Sequence, residues 1–202
     1  MQPLEIPDEH FWDSRFAESG YAYGTEPNDF LREVLPSLPR GDALSLCEGE
    51  GRNAVFLARH GFRVTAVDFS GVGLAKARDF AAREGVSIET VQADLAQFDL
   101  GEDRWDLVIA IFAQPSAPVR RRLYAAMARA LRANGRFVLE TKVQSNAGAD
   151  DRYPGIHVLG RELSPLHMEI ARESERMIAE GRYHTGSTRT AQILAQGKIA
   201  AD

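Results

Sequence analysis

Residues 43–70 read ALSLCEGEGRNAVFLARHGFRVTAVDFS, and the rest of the chain is organised around them. Residues 43–47 are a short apolar run, the pattern of a buried strand. The chain then turns through Glu48-Gly49-Glu50-Gly51 and enters a helical pattern with Ala54, Val55, Leu57 and Ala58 on its apolar face, ended by Gly61. Residues 63–67 make a second strand that stops at Asp68. Glycines at a strand-to-helix turn let a ligand approach the backbone, because no Cβ stands in the way. The helix N-terminus that follows presents amide donors to it. Asp68 lies 17 positions after Gly51. A carboxylate there, at the end of the next strand, can accept both hydroxyls of a ribose. Standing at a strand's end, it is expected to lie outside the core.

This geometry does not choose the nucleotide. A dinucleotide fold would want a third glycine where Ala54 stands, and a phosphate loop would want Gly-Lys-Ser or Gly-Lys-Thr, which is absent. The stretch resembles motif I of the class I S-adenosylmethionine (SAM)-dependent methyltransferases. Within them it is similar to the tellurite-resistance and thiopurine S-methyltransferase-like group. The resemblance is carried by Gly49, Gly51, Arg52 and Asn53, by Phe56-Leu57-Ala58, by Val67-Asp68-Phe69-Ser70 and by Gly73-Leu74-Ala75-Lys76-Ala77. It departs at two positions. The usual first-strand acid is Ser45 and the first glycine of the trio is Cys47, so Glu48 is the candidate substitute for the acid.

The flanking sequence extends the pattern. Residues 8–19 read as a short helix capped by Asp8, and residues 28–35 as a second helix entered through Pro27. Between Phe11 and Tyr23 stand five aromatics: Phe11, Trp12, Phe16, Tyr21 and Tyr23. Packing against the domain explains one or two; five suggest a segment that closes over a ligand. Residues 71–84 are a crossover helix, 86–91 a third strand, and 105–112 (WDLVIAIF) a strand buried on both faces. A helix over 119–131, an Asn134-Gly135 turn and a fifth strand over 136–141 follow. Strands alternating with crossover helices predict a parallel sheet with its site at the strand C-terminal edge. Composition reads 167–179 as a helix. The resemblance instead implies a strand there, a turn over 180–186 and a final strand over 188–195, inserted between the fourth strand's neighbours and the sheet edge. The expected fold is a single α/β domain over 1–202, a doubly wound, mostly parallel seven-stranded sheet with helices on both faces. Its parts are a lid segment (1–36), a SAM-binding core (37–142) and an acceptor-side loop with antiparallel strands (143–202).

Length and composition set bounds. A chain of 202 residues, 44% hydrophobic, suffices for one domain with a sizeable core. A net charge of −5 offers no cationic footprint for a nucleic acid. The single Cys47 excludes an intrachain disulfide and a cysteine zinc site. No signal-like stretch or membrane-length apolar run occurs, so a cytoplasmic protein, a monomer or homodimer, is expected.

The resemblance implies that SAM, and its product S-adenosylhomocysteine (SAH), are held by Glu48, Gly49, Glu50, Gly51 and Asn53 at the turn. Asp68, Phe69 and Ser70 would follow on the second strand, Asp94 and Leu95 by the adenine, and Ile111 and Phe112 on the fourth strand, beneath Trp12 and Tyr23. Candidate acid/base or anchoring groups are Glu140, His157, His167, Arg182 and His184, with His184 at the family's Glu-Gly-x-x-His spacing. Arg182 and His184 are the catalytic candidates. No metal is expected, because His157 and His167 lack i,i+4 spacing or carboxylate companions. The implied reaction is methyl transfer to a small-molecule acceptor, a soft sulfur, selenium or tellurium nucleophile. A non-catalytic nucleotide-binding protein and a nicotinamide-dependent oxidoreductase are the alternatives.

Overall fold

The computed structural model describes residues 8–144 and 151–197. Seven strands form one sheet in the order β3-β2-β1-β4-β5-β7-β6. They are β1 (Asp42–Leu46), β2 (Arg63–Asp68), β3 (Glu89–Gln92), β4 (Trp105–Ile111), β5 (Leu131–Lys142), β6 (His167–Ala179) and β7 (Thr185–Gln196). β3, β2, β1, β4 and β5 pair in parallel, whereas β7 runs antiparallel to both β5 and β6. The order leaves β1 toward β3 and resumes on β1's other side with β4. That reversal opens a crevice at the carboxyl ends of β1 and β4, the place where such sheets bind ligands.

The helices are α1 (Glu9–Ala17), α2 (Asp29–Val34), α3 (Arg52–Arg59), α4 (Gly71–Arg83), α5 (Ala117–Ala130) and α6 (Ile156–Glu162). Alternation along β4 divides the core between two faces. Leu107, Ile109 and Ile111 join Phe30 and Leu31 of α2, Leu57 of α3 and Leu74 of α4. Val108 and Ala110 join Leu123 and Met127 of α5 and Leu159 of α6. The architecture is thus the doubly wound, mostly parallel sheet that the strand–helix alternation predicts.

Three local readings are corrected. The third strand begins at Glu89, not at 86: Val86 donates back to the Ala81 carbonyl at the end of α4, and residues 86–88 lead from there into the strand. The Asn134-Gly135 turn lies inside β5 as an irregularity, with Asn134 at φ 62° and the pairing to β4 jumping from Leu131 to Arg136. Residues 167–179 are a strand, as the resemblance implies and composition does not. Their helix-forming residues are overridden by pairing with β7 from His167 to Ala179.

Candidate active site

β1 ends at Leu46, and the chain crosses Cys47 (φ 54°), Gly49 (φ 63°) and Gly51 (φ 95°) before entering α3. Gly51 must be glycine, because a Cβ there would stand 2.8 Å from the Ala77 backbone of α4. Glu48 answers the question posed by Ser45 and Cys47. Its Oε1 accepts the amides of Asn53 and Ala54, each at 2.9 Å, and its Oε2 takes the Ser45 hydroxyl. One side chain therefore caps α3 and ties it to β1. Burial raises the Glu48 carboxyl above its ordinary value, against the pull of Ser45 and those amides.

Asp68 departs from expectation. It is 7% exposed, and it accepts the Gly49 amide at 2.8 Å and the Ser70 amide at 2.9 Å. Burial raises its carboxyl too, with those amides opposing. The carboxylate belongs to the scaffold of the turn as well as to the cavity wall.

These groups line a cavity of about 520 Å³ along the carboxyl edge of the sheet. Of the sequence candidates, the wall includes Trp12, Tyr23, Glu48, Gly49, Glu50, Asn53, Asp68, Phe69, Asp94, Leu95, Ile111, Phe112 and His184. Three candidates fall outside it. Gly51 is packed on α4, and Ser70 caps α4 through Gly73 while its hydroxyl meets Asp13. Arg182 turns outward to the Ser19 carbonyl at 2.9 Å and Glu18 at 3.1 Å, so it clamps the N-terminal segment and does not face the cavity. Of the other histidines and acids, Glu140 is fully buried below the cavity, while His157 and His167 lie off its wall.

Aromatic residues of the N-terminal segment line the cavity. Trp12 stacks on Phe16 with ring centroids 5.7 Å apart, and Phe16 lies over Gly49, where a Cβ would come within 3.0 Å of the ring. Tyr23, whose hydroxyl burial raises, closes the next stretch beside His184. Residues 18–24 are fastened firmly. The Ala22 amide donates to Glu50 at 2.7 Å, its carbonyl accepts Arg182 N at 2.9 Å, and Lys76 reaches the Glu18 and Gly20 carbonyls. The expectation of one closing lid segment over 1–36 is narrowed accordingly; its residues 1–7 lie outside the described residues.

Opposite the turn, a buried polar network carries His184. Its Nδ1 is 3.0 Å from Glu180 Oε2, and the same oxygen accepts Arg52 Nη2 at 2.7 Å. Glu180 Oε1 accepts Asn28 and Arg176, both at 3.2 Å, and Arg176 reaches on to Glu140. Burial alone would raise the Glu180 carboxyl, yet the His184 hydrogen bond and the Arg52 charge hold it down at about 2. An ionised Glu180 requires Nδ1 to be the donor, which leaves the lone pair of a neutral ring on Nε2. Nε2 is buried without a partner among the described residues. The ring stands edge-on to Phe112, centroids 4.1 Å apart, and Phe112 holds φ 52° at the end of β4. Backbone in that region is uncommon for non-glycine residues and collects at functional sites.

Sequence reasoning missed several wall residues, among them Lys142, Tyr153 and Tyr183. Lys142 had a usable signal, since it ends a parallel strand on the edge where the site must lie. Tyr153 had none. Among the described residues no group of three or more His, Cys, Asp or Glu could hold a metal, and no helix is long and apolar enough to cross a membrane.

The fold is the Rossmann-like fold of solved methyltransferase structures, and residues 43–135 match the family model of a methyltransferase domain. The chain superposes on TehB from Haemophilus influenzae with a TM-score of 0.71 at 15% identity, covering 94% of this chain and 67% of that one. It superposes on the N-methyltransferase NodS from Bradyrhizobium japonicum WM9 with a TM-score of 0.67 at 17% identity, over 84% and 93%. A structure concerned with conversion of a disulfide bond into a thioacetal group during echinomycin biosynthesis gives 0.75 at 17% identity, over 96% and 94%. In sequence, the chain is 34% identical over 86 residues to Hemagglutinin 1 from Eikenella corrodens, 43% of this chain and 28% of that protein. The chain thus spans well under half the length of that curated relative.

Proposed function

We propose that the protein transfers the methyl group of SAM to a small-molecule acceptor, a soft sulfur, selenium or tellurium nucleophile, by in-line displacement. The observation that carries this reading is the cavity shared by the glycine turn, Asp68, Asp94, Phe112 and His184, whose Nε2 is buried without a partner among the described residues. The residues fit the cofactor. Gly49 brings its backbone to the cavity wall without a Cβ, and Asp68 retains lone pairs for a diol beyond the two amides it accepts. Asp94 and Leu95 line the wall beyond β3, and Ile111 and Phe112 the wall at β4. When bound, SAM supplies a methyl carbon already activated by its sulfonium.

The chain's own work is to orient, to exclude water and to take a proton. Trp12, Phe16 and Tyr23 wall the cavity with apolar surface, which strengthens the electrostatics within it. His184 Nε2 accepts the proton of an acceptor that arrives protonated, with Glu180 holding the ring and stabilising the imidazolium that forms. A sulfur acceptor is consistent with the thioacetal chemistry named for one structural neighbour. The test is twofold. SAH, but not NAD, should raise the melting temperature, by about 2.7 kcal/mol of added stability at 100 times its dissociation constant. SAM with a panel of thiols should then yield SAH by mass spectrometry; an equal shift with NAD, or no SAH from any thiol, would overturn the reading.

A further inference from the structure

The carboxyl edge of the sheet is electrically divided. Following the strand order, Asp94 stands beyond β3, Asp68 at β2 and Glu48 at β1, whereas Lys142 ends β5 and His184 precedes β7. Arg52 reaches that second end from α3. Beneath it Glu140 and Glu180 are paired with Arg52 and Arg176, and Arg176 also reaches the exposed Asp29. Lys142 takes no part in these pairs. It lines the cavity, half-buried, and among the described residues it has no hydrogen-bond or ion-pair partner. Arg52 is 8% exposed; its Nη2 is spent on Glu180, but its Nη1 is buried and unpartnered. A buried donor left without a partner is costly, so such a group calls for a ligand.

We propose that this end of the cavity is an anion subsite, in which the Lys142 ammonium and Arg52 Nη1 hold a carboxylate or oxyanion carried by the methyl acceptor. The proposal rests on the methyltransferase reading and adds the acceptor's chemical class. Burial lowers the Lys142 ammonium from its ordinary value while Glu180 acts the other way, which places Lys142 in the field of the carboxylate that also holds Arg52. The guanidinium offers planar donors to an oxyanion, and the ammonium adds a point charge beside it.

The test uses the full chain saturated with SAH, and also without it, titrated calorimetrically with 4-mercaptobenzoate and with thiophenol. The pair share ring and thiol and differ in the carboxylate. At least tenfold tighter binding of mercaptobenzoate is expected. In Lys142→Gln the two affinities should converge to within twofold. Equal affinities in the parent, no binding of mercaptobenzoate, or a preference that survives in the variant would overturn the proposal. So would a tenfold loss of SAH affinity in Lys142→Gln, which would assign the subsite to the cofactor's own carboxylate. Failure of SAH to bind would sink the methyltransferase reading separately, since the anion preference of the unliganded protein is read in its own titration.

Discussion

The Asp68 carboxylate accepts the Gly49 amide at 2.8 Å, so the end of β2 holds the glycine turn at the end of β1. A second bond from Ser70 N at 2.9 Å fixes the ring of contacts. Asp68→Ala would leave both buried donors unmade, each at a cost of about 1–3 kcal/mol. The variant should therefore lose thermal stability and SAH affinity together. Asp68→Asn, which keeps one acceptor, should fold better and still lose about tenfold in SAH affinity, read by calorimetry. Affinity within twofold of the parent in the folded Asn variant would mean that the carboxylate serves the turn alone.

The dependence of the turn on Asp68 illustrates what was legible in the sequence. The strand–helix alternation and the buried run 105–112 carry local signals, so the sheet and the edge that holds the site could be read directly. Partners far apart in the chain could not. The Glu180 oxygens collect donors from Asn28, Arg52 and Arg176 as well as His184, and only the fold brings those residues together. Spacing likewise could not tell that Arg182 and His184, two residues apart, point to opposite sides of their loop. The strand at 167–179 failed by composition for the same reason, since its pairing with β7, not its propensity, decides its state.

Glu180 makes the stability of the network depend on pH. Its carboxyl sits at about 2 in the fold against an ordinary 4.5. A depressed carboxyl contributes stability in full above its unfolded value and loses it as pH falls toward the folded one. Glu180→Gln should cost roughly 3 kcal/mol near neutrality, because it leaves Arg52 underpaired. Urea midpoints of parent and variant should differ by a constant gap above about pH 5, and the gap should shrink between 4.5 and 2. A gap undiminished at pH 3 would show that the Glu180 carboxyl is not held low.

For His184, the general-base role ties its importance to the acceptor's proton. His184→Gln should lower kcat by about 10²-fold for a thiol acceptor at a pH below the thiol's own pKa, within the usual range for such catalysis. The deficit should shrink as pH rises and the thiol ionises unaided, at about 8.5 for an ordinary thiol. Single-turnover rates from pH 6 to 9.5 would read it. A deficit independent of pH would make His184 a positioning residue.

The N-terminal cover divides at residue 18. Residues 18–24 are bound into the core by Ala22 through Glu50 and Arg182, and by Lys76 at two carbonyls. Their fit admits no slack, since a Cβ on Gly181 would lie 2.5 Å from the Ala22 carbonyl oxygen. α1 is held differently. Besides buried Phe16 it meets the body through polar side chains, Asp13 at Ser70 and Val72, Glu9 at Gln92, and Arg15, which reaches the Tyr23 hydroxyl at 3.4 Å and lies 3.7 Å from the Tyr183 ring centroid, while Phe11 remains 41% exposed. Yet α1 supplies Trp12 and Phe16 to the cavity wall. Local opening selects segments with few buried contacts, so α1 is the part that should open and close. Hydrogen exchange should find Ala22 protected equally with and without SAH, while the amides of residues 9–17 gain protection only when SAH is bound. Deleting residues 1–17 should leave a folded protein with weakened SAH binding, whereas deleting 1–26 should also remove the Ala22–Glu50 tie and lower the melting temperature. Equal α1 protection in both states would make the helix a fixed wall of the cavity, and the moving cover would be wrong.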